Sequence, residues 1–293
     1  MENMVEVKNL EKRFTHFALE GIQLTVKKGF ITGFIGPNGA GKSTAIRCIM
    51  NLVRPDRGEV QIFGKTHEAD TENIKQRIGF VQDENFFYGH LSLEQNKKLI
   101  APFYETWNEQ LFSHYIEQFE LPRMKKVDHL SKGMKIKFSL AMALAHDPEL
   151  IIMDEPTSGL DPVFRRELLE LLQDIIQDGE KAVFFSTHIT QDLEKVADFI
   201  TFIDNGKMVV SGEKDALLDQ YAVVKGPKEW LTAERRRSLL GIKETDVGFD
   251  GLLADKLLFD GQADGQVLLE RPSLEDIIFY TVKERKHDHS TSA

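Results

Sequence analysis

"GFIGPNGAGKST", residues 33–44, sets four glycines and a proline directly behind the apolar run Phe30–Phe34. Glycine loses more backbone freedom on folding than any other residue, so a loop this bare needs a reason. The segment from Gly36 to Ser43 fits G-x-x-x-x-G-K-[ST], the P-loop pattern. Without Cβ atoms such a loop can turn consecutive backbone N–H groups onto one anion. The helix that follows adds its own unpaired N–H groups and the positive end of its dipole. The flanks agree with this reading. Phe30–Ile35 has the composition of a buried strand, and Ile46, Ile49, Met50 and Val53 recur at helical spacing after the loop. Gly36, Pro37, Asn38, Gly39, Ala40, Gly41, Lys42, Ser43 and Thr44 therefore form the expected nucleotide site. Lys42 would reach the β- and γ-phosphates, and the Ser43 hydroxyl would ligate Mg²⁺.

The chain has 293 residues, long enough for one large α/β domain and a small appendage. It is 41% hydrophobic and 29% charged, as ordinary globular proteins are. With 37 basic against 47 acidic residues the formal charge is −10, which argues against nucleic acid as a ligand. The single cysteine, Cys48, leaves no intrachain disulfide, suits a reducing cytoplasm and reads as a small core residue. No apolar run approaches the roughly 20 residues needed to span a bilayer, and the first residues carry no signal-peptide core. If the protein acts at a membrane, another chain supplies the span.

Strand-like runs at Met4–Val7, Ile22–Val26, 58–65, 78–82, 150–156, 182–188 and 199–212 alternate with helical patterns. That alternation implies a largely parallel sheet covered on both faces. Ser92 and Gln95 form a capping box opening a helix-rich stretch over about 92–146. Leu150–Met153 ends in Asp154 and Glu155: a carboxylate at a strand end can hold Mg²⁺, and its neighbour can polarise a water as general base. Beyond about Ser211 the pattern changes. Short β-like runs at Ala222–Val224 and Val267–Leu269 flank helix-like pieces, including 232–241, and Ser273 with Asp276 caps a last helix. The expected organisation is residues 1–213 as the main domain, with a helical subdomain at 92–146. Residues 214–282 are a small accessory domain, and 283–293 a polar, disordered tail.

The stretch "LSKGMKIKFSLAMALAHDPELIIMDEPTSGLD", together with the loop upstream, resembles the ATP-binding cassette (ABC) ATPases over roughly residues 2–213. The resemblance implies an α/β P-loop NTPase fold of that type, with a mostly parallel sheet, a helical subdomain and a small antiparallel β part. To this the sequence adds a small C-terminal α+β accessory domain. It implies ATP and Mg²⁺ as cofactors, and a head-to-tail dimer sandwiching each ATP between one chain's P-loop and the other's signature. It makes Phe14 the aromatic on adenine and Gln82 the glutamine sensing Mg²⁺ and the γ-phosphate. Ser131 and Gly133 become the signature, Asp161 the aspartate facing the dimer partner, and His188 the switch histidine. Asp154 is the Mg²⁺ carboxylate and Glu155 the base. The commonest signature is Leu-Ser-Gly-Gly-Gln; here Lys132 replaces its first glycine and Met134 its glutamine. Lys132, Lys135 and Lys137 crowd a helix N-terminus, where the dipole disfavours cations. An arriving anion, such as a phosphate held by the partner, would relieve that conflict.

The implied role is an ATP-hydrolysing subunit that works with a transmembrane permease on a separate chain. It would lie at the cytoplasmic, inner face of the cell membrane, as a homodimer or a heterodimer with a second ABC ATPase. The aromatics of "DENFFYGHL" (83–91) suit a docking patch for that permease, and "RPSLEDIIFYTV" (271–282) resembles the ends of bacterial exporter ATPases. Export is the preferred direction; an importer ATPase and a soluble non-transport ABC ATPase are the alternatives.

Overall fold

The computed structural model describes residues 2–83, 86–256 and 267–291. The chain opens with β1 (Asn3–Arg13), β2 (Ala18–Lys27) and β3 (Ile31–Ile35), followed by α1 (Lys42–Ile49). Next come β4 (Arg57–Ile62), β5 (Lys65–Thr66), α2 (His67–Gln76) and β6 (Ile78–Val81). The helical stretch supplies α3 (Leu93–Ile100), α4 (Glu109–Gln118) and α5 (Lys132–Leu144). Alternation then resumes with β7 (Leu150–Asp154), α6 (Pro162–Ile175), β8 (Ala182–Thr187), α7 (Thr190–Val196), β9 (Phe199–Asp204) and β10 (Lys207–Glu213). The C-terminal part holds α8 (Lys214–Gln220), β11 (Ala222–Gly226), α9 (Ala233–Ser238), β12 (Leu239–Glu244), β13 (Phe249–Leu253), β14 (Leu268–Glu270) and α10 (Leu274–Thr291).

The central sheet has the order β10-β9-β3-β8-β7-β6 and is parallel except for β10. Its strands bury both faces, and their side chains alternate between two cores as period-2 geometry requires. Ile31, Ile151, Met153, Val183 and Phe185 join the core under α5, α6 and the helical stretch. Phe34, Leu150, Ile152 and Phe184 join the core under α1 and the antiparallel sheet β2-β1-β4-β5. Ser92 and Gln95 make the expected capping box at α3, with Ser92 Oγ accepting from Gln95 N at 3.2 Å and Gln95 Oε1 from Ser92 N at 2.9 Å. Cys48 is buried, and burial pushes its thiol up to about 11, so it stays protonated and unreactive in the core.

The apolar run 199–212 is two antiparallel strands turned at Asn205-Gly206 rather than one. Gly206 has φ 73°, its N–H bonds to Ala40 O at 2.9 Å, and a Cβ there would lie 1.8 Å from Ala18 O. No side chain fits between the hairpin and β2. Gly206→Ala should lower stability by about 2 kcal/mol or more through strain and clash. A thermal midpoint unchanged from wild type would contradict that packing.

The C-terminal part forms a separate sheet, β12-β13-β11-β14, with Trp230 stacked on Phe249 at 5.6 Å. The helical reading of 232–241 holds only to Ser238, because Leu239 and Leu240 enter β12 and pair with Leu253 and Leu252 of β13, with Leu239 turned into the core. Helix α10 starts with the expected cap, Asp276 N donating to Ser273 Oγ at 3.1 Å. It then runs on through Thr291, where a disordered tail was expected from Lys283. Contacts made by its extension explain the difference: Lys283 Nζ donates to Ile242 O at 2.8 Å, Glu284 accepts from Gly241 N at 2.6 Å, and Arg285 reaches Met208 O at 3.1 Å. Ser292 and Ala293 of that tail lie outside the described residues, as do Glu84 and Asn85 of the aromatic stretch.

Candidate nucleotide site

The loop between β3 and α1 closes with Gly41 at φ 106° and Gly39 at φ 81°, in the left-handed region that glycine alone enters cheaply. A Cβ on Gly36 would stand 2.4 Å from Ile203 O, and one on Gly41 2.6 Å from the Phe17 ring. Glycine is therefore required by space as well as by dihedral. Helix α1 has no side-chain cap and no acidic residue in its first turn, so its leading N–H groups are open to an anion. Lys42 is 5% exposed and donates to Gly36 O at 2.7 Å and Pro37 O at 3.1 Å.

The ends of β7 and β8 bring the carboxylates to this loop. Asp154 is 6% exposed and accepts the Ser186 hydroxyl at 2.6 Å. One residue on, Glu155 sits at φ 51°, with its N–H shared between Ser186 Oγ (3.0 Å) and Ser186 O (3.2 Å). This turn aims the Glu155 carboxylate back over the loop. Its Oε1 meets Lys42 Nζ at 2.9 Å, and its Oε2 meets His188 Nδ1 at 2.8 Å. Lysine, carboxylate and imidazole thus form one chain across three strand ends.

A cavity of about 380 Å³ opens at this point, lined by Asn38, Gly39, Lys42, Ser43, Glu155 and, beyond the expected set, Phe17 and Asp83. Phe17 gave its signal in a second aromatic three residues after Phe14, and Asp83 in a carboxylate directly after Gln82. Ser186 was legible only as a hydroxyl inside an apolar run. The Ser43 hydroxyl and the Asp154 carboxylate are hard oxygen donors of the kind Mg²⁺ takes. Among the described residues no group of three or more His, Cys, Asp or Glu side chains forms an all-protein metal cage. Two protein oxygens beside a phosphate cradle fit an ion that completes its shell with phosphate and water.

The remaining expected residues stand around the cavity rather than in it. Phe14 is half exposed, its N–H bonded to Phe17 O at 2.7 Å. Gln82 lines a neighbouring groove with Phe80, Phe86, Phe87, Ile100 and Tyr104. Ser131 caps α5, Oγ accepting from Met134 N at 3.2 Å, and Gly133 follows in its first turn. Asp161 caps α6, accepting from Val163 N (3.1 Å) and Phe164 N (3.0 Å). Lys132 lies 3.4 Å from Asp83, so one anion facing that crowded helix start comes from the same chain. Lys137 lies over the Phe164 ring at 4.4 Å.

A glycine-cradled helix start facing a Lys-Glu-His chain at the ends of a parallel sheet defines a P-loop nucleoside triphosphatase. The ABC transporter family model matches residues 19–158. The chain is 32% identical to the bacitracin transport ATP-binding protein BcrA of Bacillus licheniformis, over 71% of this chain and 69% of that protein. It is 34% identical to the linearmycin resistance ATP-binding protein LnrL of Bacillus subtilis, over 73% and 70%. A solved dimer of the ATP-binding cassette MJ0796 in a post-hydrolysis state with ADP and Pi superposes with a TM-score of 0.64 at 25% identity, covering 72% of this chain and 98% of that one. The chain belongs to the ATP-binding subunits of ABC transporters and is an ATPase that powers transport. Among the described residues no helix is long and apolar enough to cross a membrane.

Proposed function

We propose that this subunit drives export. ATP would be bound between its P-loop and the Ser131–Gly133 signature of a second ATPase subunit. The Lys42–Glu155–His188 chain carries the reading. Phosphate oxygens compete for the Lys42 ammonium that now faces Glu155 Oε1. Once Lys42 turns to them, Glu155 can take the proton of a water attacking the γ-phosphorus in line. His188, bonded through Nδ1 to Glu155 Oε2, holds that carboxylate in place. Ser43, Asp154 and, from the groove, Gln82 would hold Mg²⁺, which would supply positive charge opposite the phosphates. Phe14 would cover adenine, and Asp161 would face the partner subunit.

The groove beside Gln82 supports docking of a permease on a separate chain. Phe86 (64% exposed) borders it, and Tyr88 is exposed close by in the same loop. Aromatics left in water at a concave surface are a common mark of a protein contact. Such docking would hold the subunit at the inner face of the membrane. Export follows from the relatives named for bacitracin transport and linearmycin resistance, and from the closing "RPSLEDIIFYTV".

Ser131→Arg tests the sandwich. The exposed Ser131 side chain does not line this chain's own phosphate cavity, so monomer ATP affinity should stay within about twofold. A bulky cation would fill the space that the partner's phosphate must enter. ATP-dependent dimerisation, followed by light scattering in a Glu155→Gln background, should disappear. Undiminished dimerisation would remove the signature from the interface.

A further inference from the structure

A second and larger cavity, about 840 Å³, lies on the other side of the P-loop, between the turn carrying His188 and the last helix. Pro37 and Ile189 form part of one wall; Ile278, Phe279 and Val282 of α10 form the opposite one. The volume lies within the range of sites for drug-sized molecules, roughly 300–1,000 Å³, and the walls are mainly apolar with a few polar groups. Phe279 is half exposed, although its neighbours Ile277 and Tyr280 on the helix are buried. Its ring lines the cavity and packs edge-on to the Tyr280 ring, centroids 5.1 Å apart.

The charged groups on the walls are unequal. Asp204, at the end of β9, and Glu275, in the first turn of α10, both line the cavity, and among the described residues neither is in an ion pair. Lys283 also lines it, but its ammonium is committed to Ile242 O at 2.8 Å. The His188 ring is committed through Nδ1 to Glu155. Because a carbonyl leaves the Lys283 charge intact, two carboxylates face one ammonium across the space, and the wall is net negative beside the Phe279 ring.

We propose that this cavity is a binding site for an organic cation with a bulky apolar body. Asp204 and Glu275 take the charge, and Phe279 and Ile278 take the body, with the Phe279 ring adding a cation–π contact. The site is separate from the nucleotide cavity, yet the P-loop borders both, and His188 on its wall is bonded to Glu155 of the nucleotide cavity. The turn is also fixed to α10 from behind, since Leu274 N donates to Glu194 Oε1 on α7 at 2.8 Å. A guest between α10 and that turn restricts the motion of His188, so occupancy slows ATP turnover.

The test uses tetraphenylphosphonium and tetraphenylborate, two ions of nearly the same shape and opposite charge, titrated calorimetrically into the full chain. Tetraphenylphosphonium should bind saturably at one site, at least about tenfold more tightly than tetraphenylborate. Asp204→Asn with Glu275→Gln should weaken the cation by about tenfold or more, and Phe279→Ala, at a half-exposed position, should do the same while a melting curve checks that the variant is folded. Glu275→Lys should narrow or reverse the preference between the two ions. At saturating ATP the bound cation should lower kcat at least about twofold, with KM for ATP little changed. Equal affinity for both ions, no saturable binding up to about 1 mM, or full affinity in the charge-neutral double variant overturns the proposal. So does an ATPase rate untouched at full occupancy. Sedimentation in parallel identifies the rival occupant: if self-association of the chain abolishes binding, a second copy fills the space, and the small-molecule site is wrong.

Discussion

Glu155→Gln should reduce ATP turnover by about a thousandfold while leaving MgATP binding intact. The substitution keeps the shape of the side chain and an oxygen toward Lys42, so the loop need not rearrange. It removes the carboxylate that stands between Lys42 and His188, and with it the acceptor proposed for the water proton. General-base contributions of about 10²–10⁴ are usual, which places this loss at about 3–5 kcal/mol in the barrier. With cleavage blocked, a phosphate bridging two subunits is not cleared, so an ATP-bound dimer should accumulate on size exclusion. Turnover within about tenfold of wild type would show that proton removal is done elsewhere.

Lys42→Ala should lower nucleotide affinity by about a hundredfold. The ammonium is 5% exposed and held at the loop by two carbonyls and Glu155, so it is already at the site and only has to turn from Glu155 to the phosphate. Its removal takes away a charge-assisted contact to the β/γ-phosphates and leaves Glu155 without its cation. Truncating one member of a buried charge pair commonly costs about 2–5 kcal/mol, and a hundredfold is about 2.7 kcal/mol. Calorimetry with MgATP reads the loss directly, and a melting curve separates it from unfolding. Unchanged affinity would move the nucleotide away from this loop.

Much of this site was legible because phosphate chemistry imposes residue types at fixed spacing. Bare glycines, a lysine at a helix start and two carboxylates ending an apolar strand each have a physical reason to stand where they do. What escaped reading depends on contacts between distant segments. Ser186 looks like an interruption of an apolar strand, and only the neighbouring β7 shows that it accepts the Glu155 N–H and donates to Asp154. Asp83 and Phe17 enter the phosphate cavity through the folding of loops whose sequences carry no period. In the C-terminal part, local pattern misled. The stretch 232–241 read as one helix-like piece, but pairing with Phe249–Leu253 takes Leu239–Gly241 into a sheet. The polar residues after Val282 suggested a loose end, because their backbone and side-chain partners, Gly241, Ile242 and Met208, are far away in sequence.

Helix α10 belongs to two bodies at once. Leu274 is part of the same core as the P-loop strand, whereas Ile277 and Tyr280 pack with Val223 and Leu252 of the C-terminal sheet. In mechanical terms it is a shared plank, and force applied to it is carried into both the ATPase core and the C-terminal sheet. Anchoring the protein by a C-terminal tag therefore loads the helix that braces the switch turn. The C-terminus is a handle on the motor, and tension there would be felt as a change in turnover.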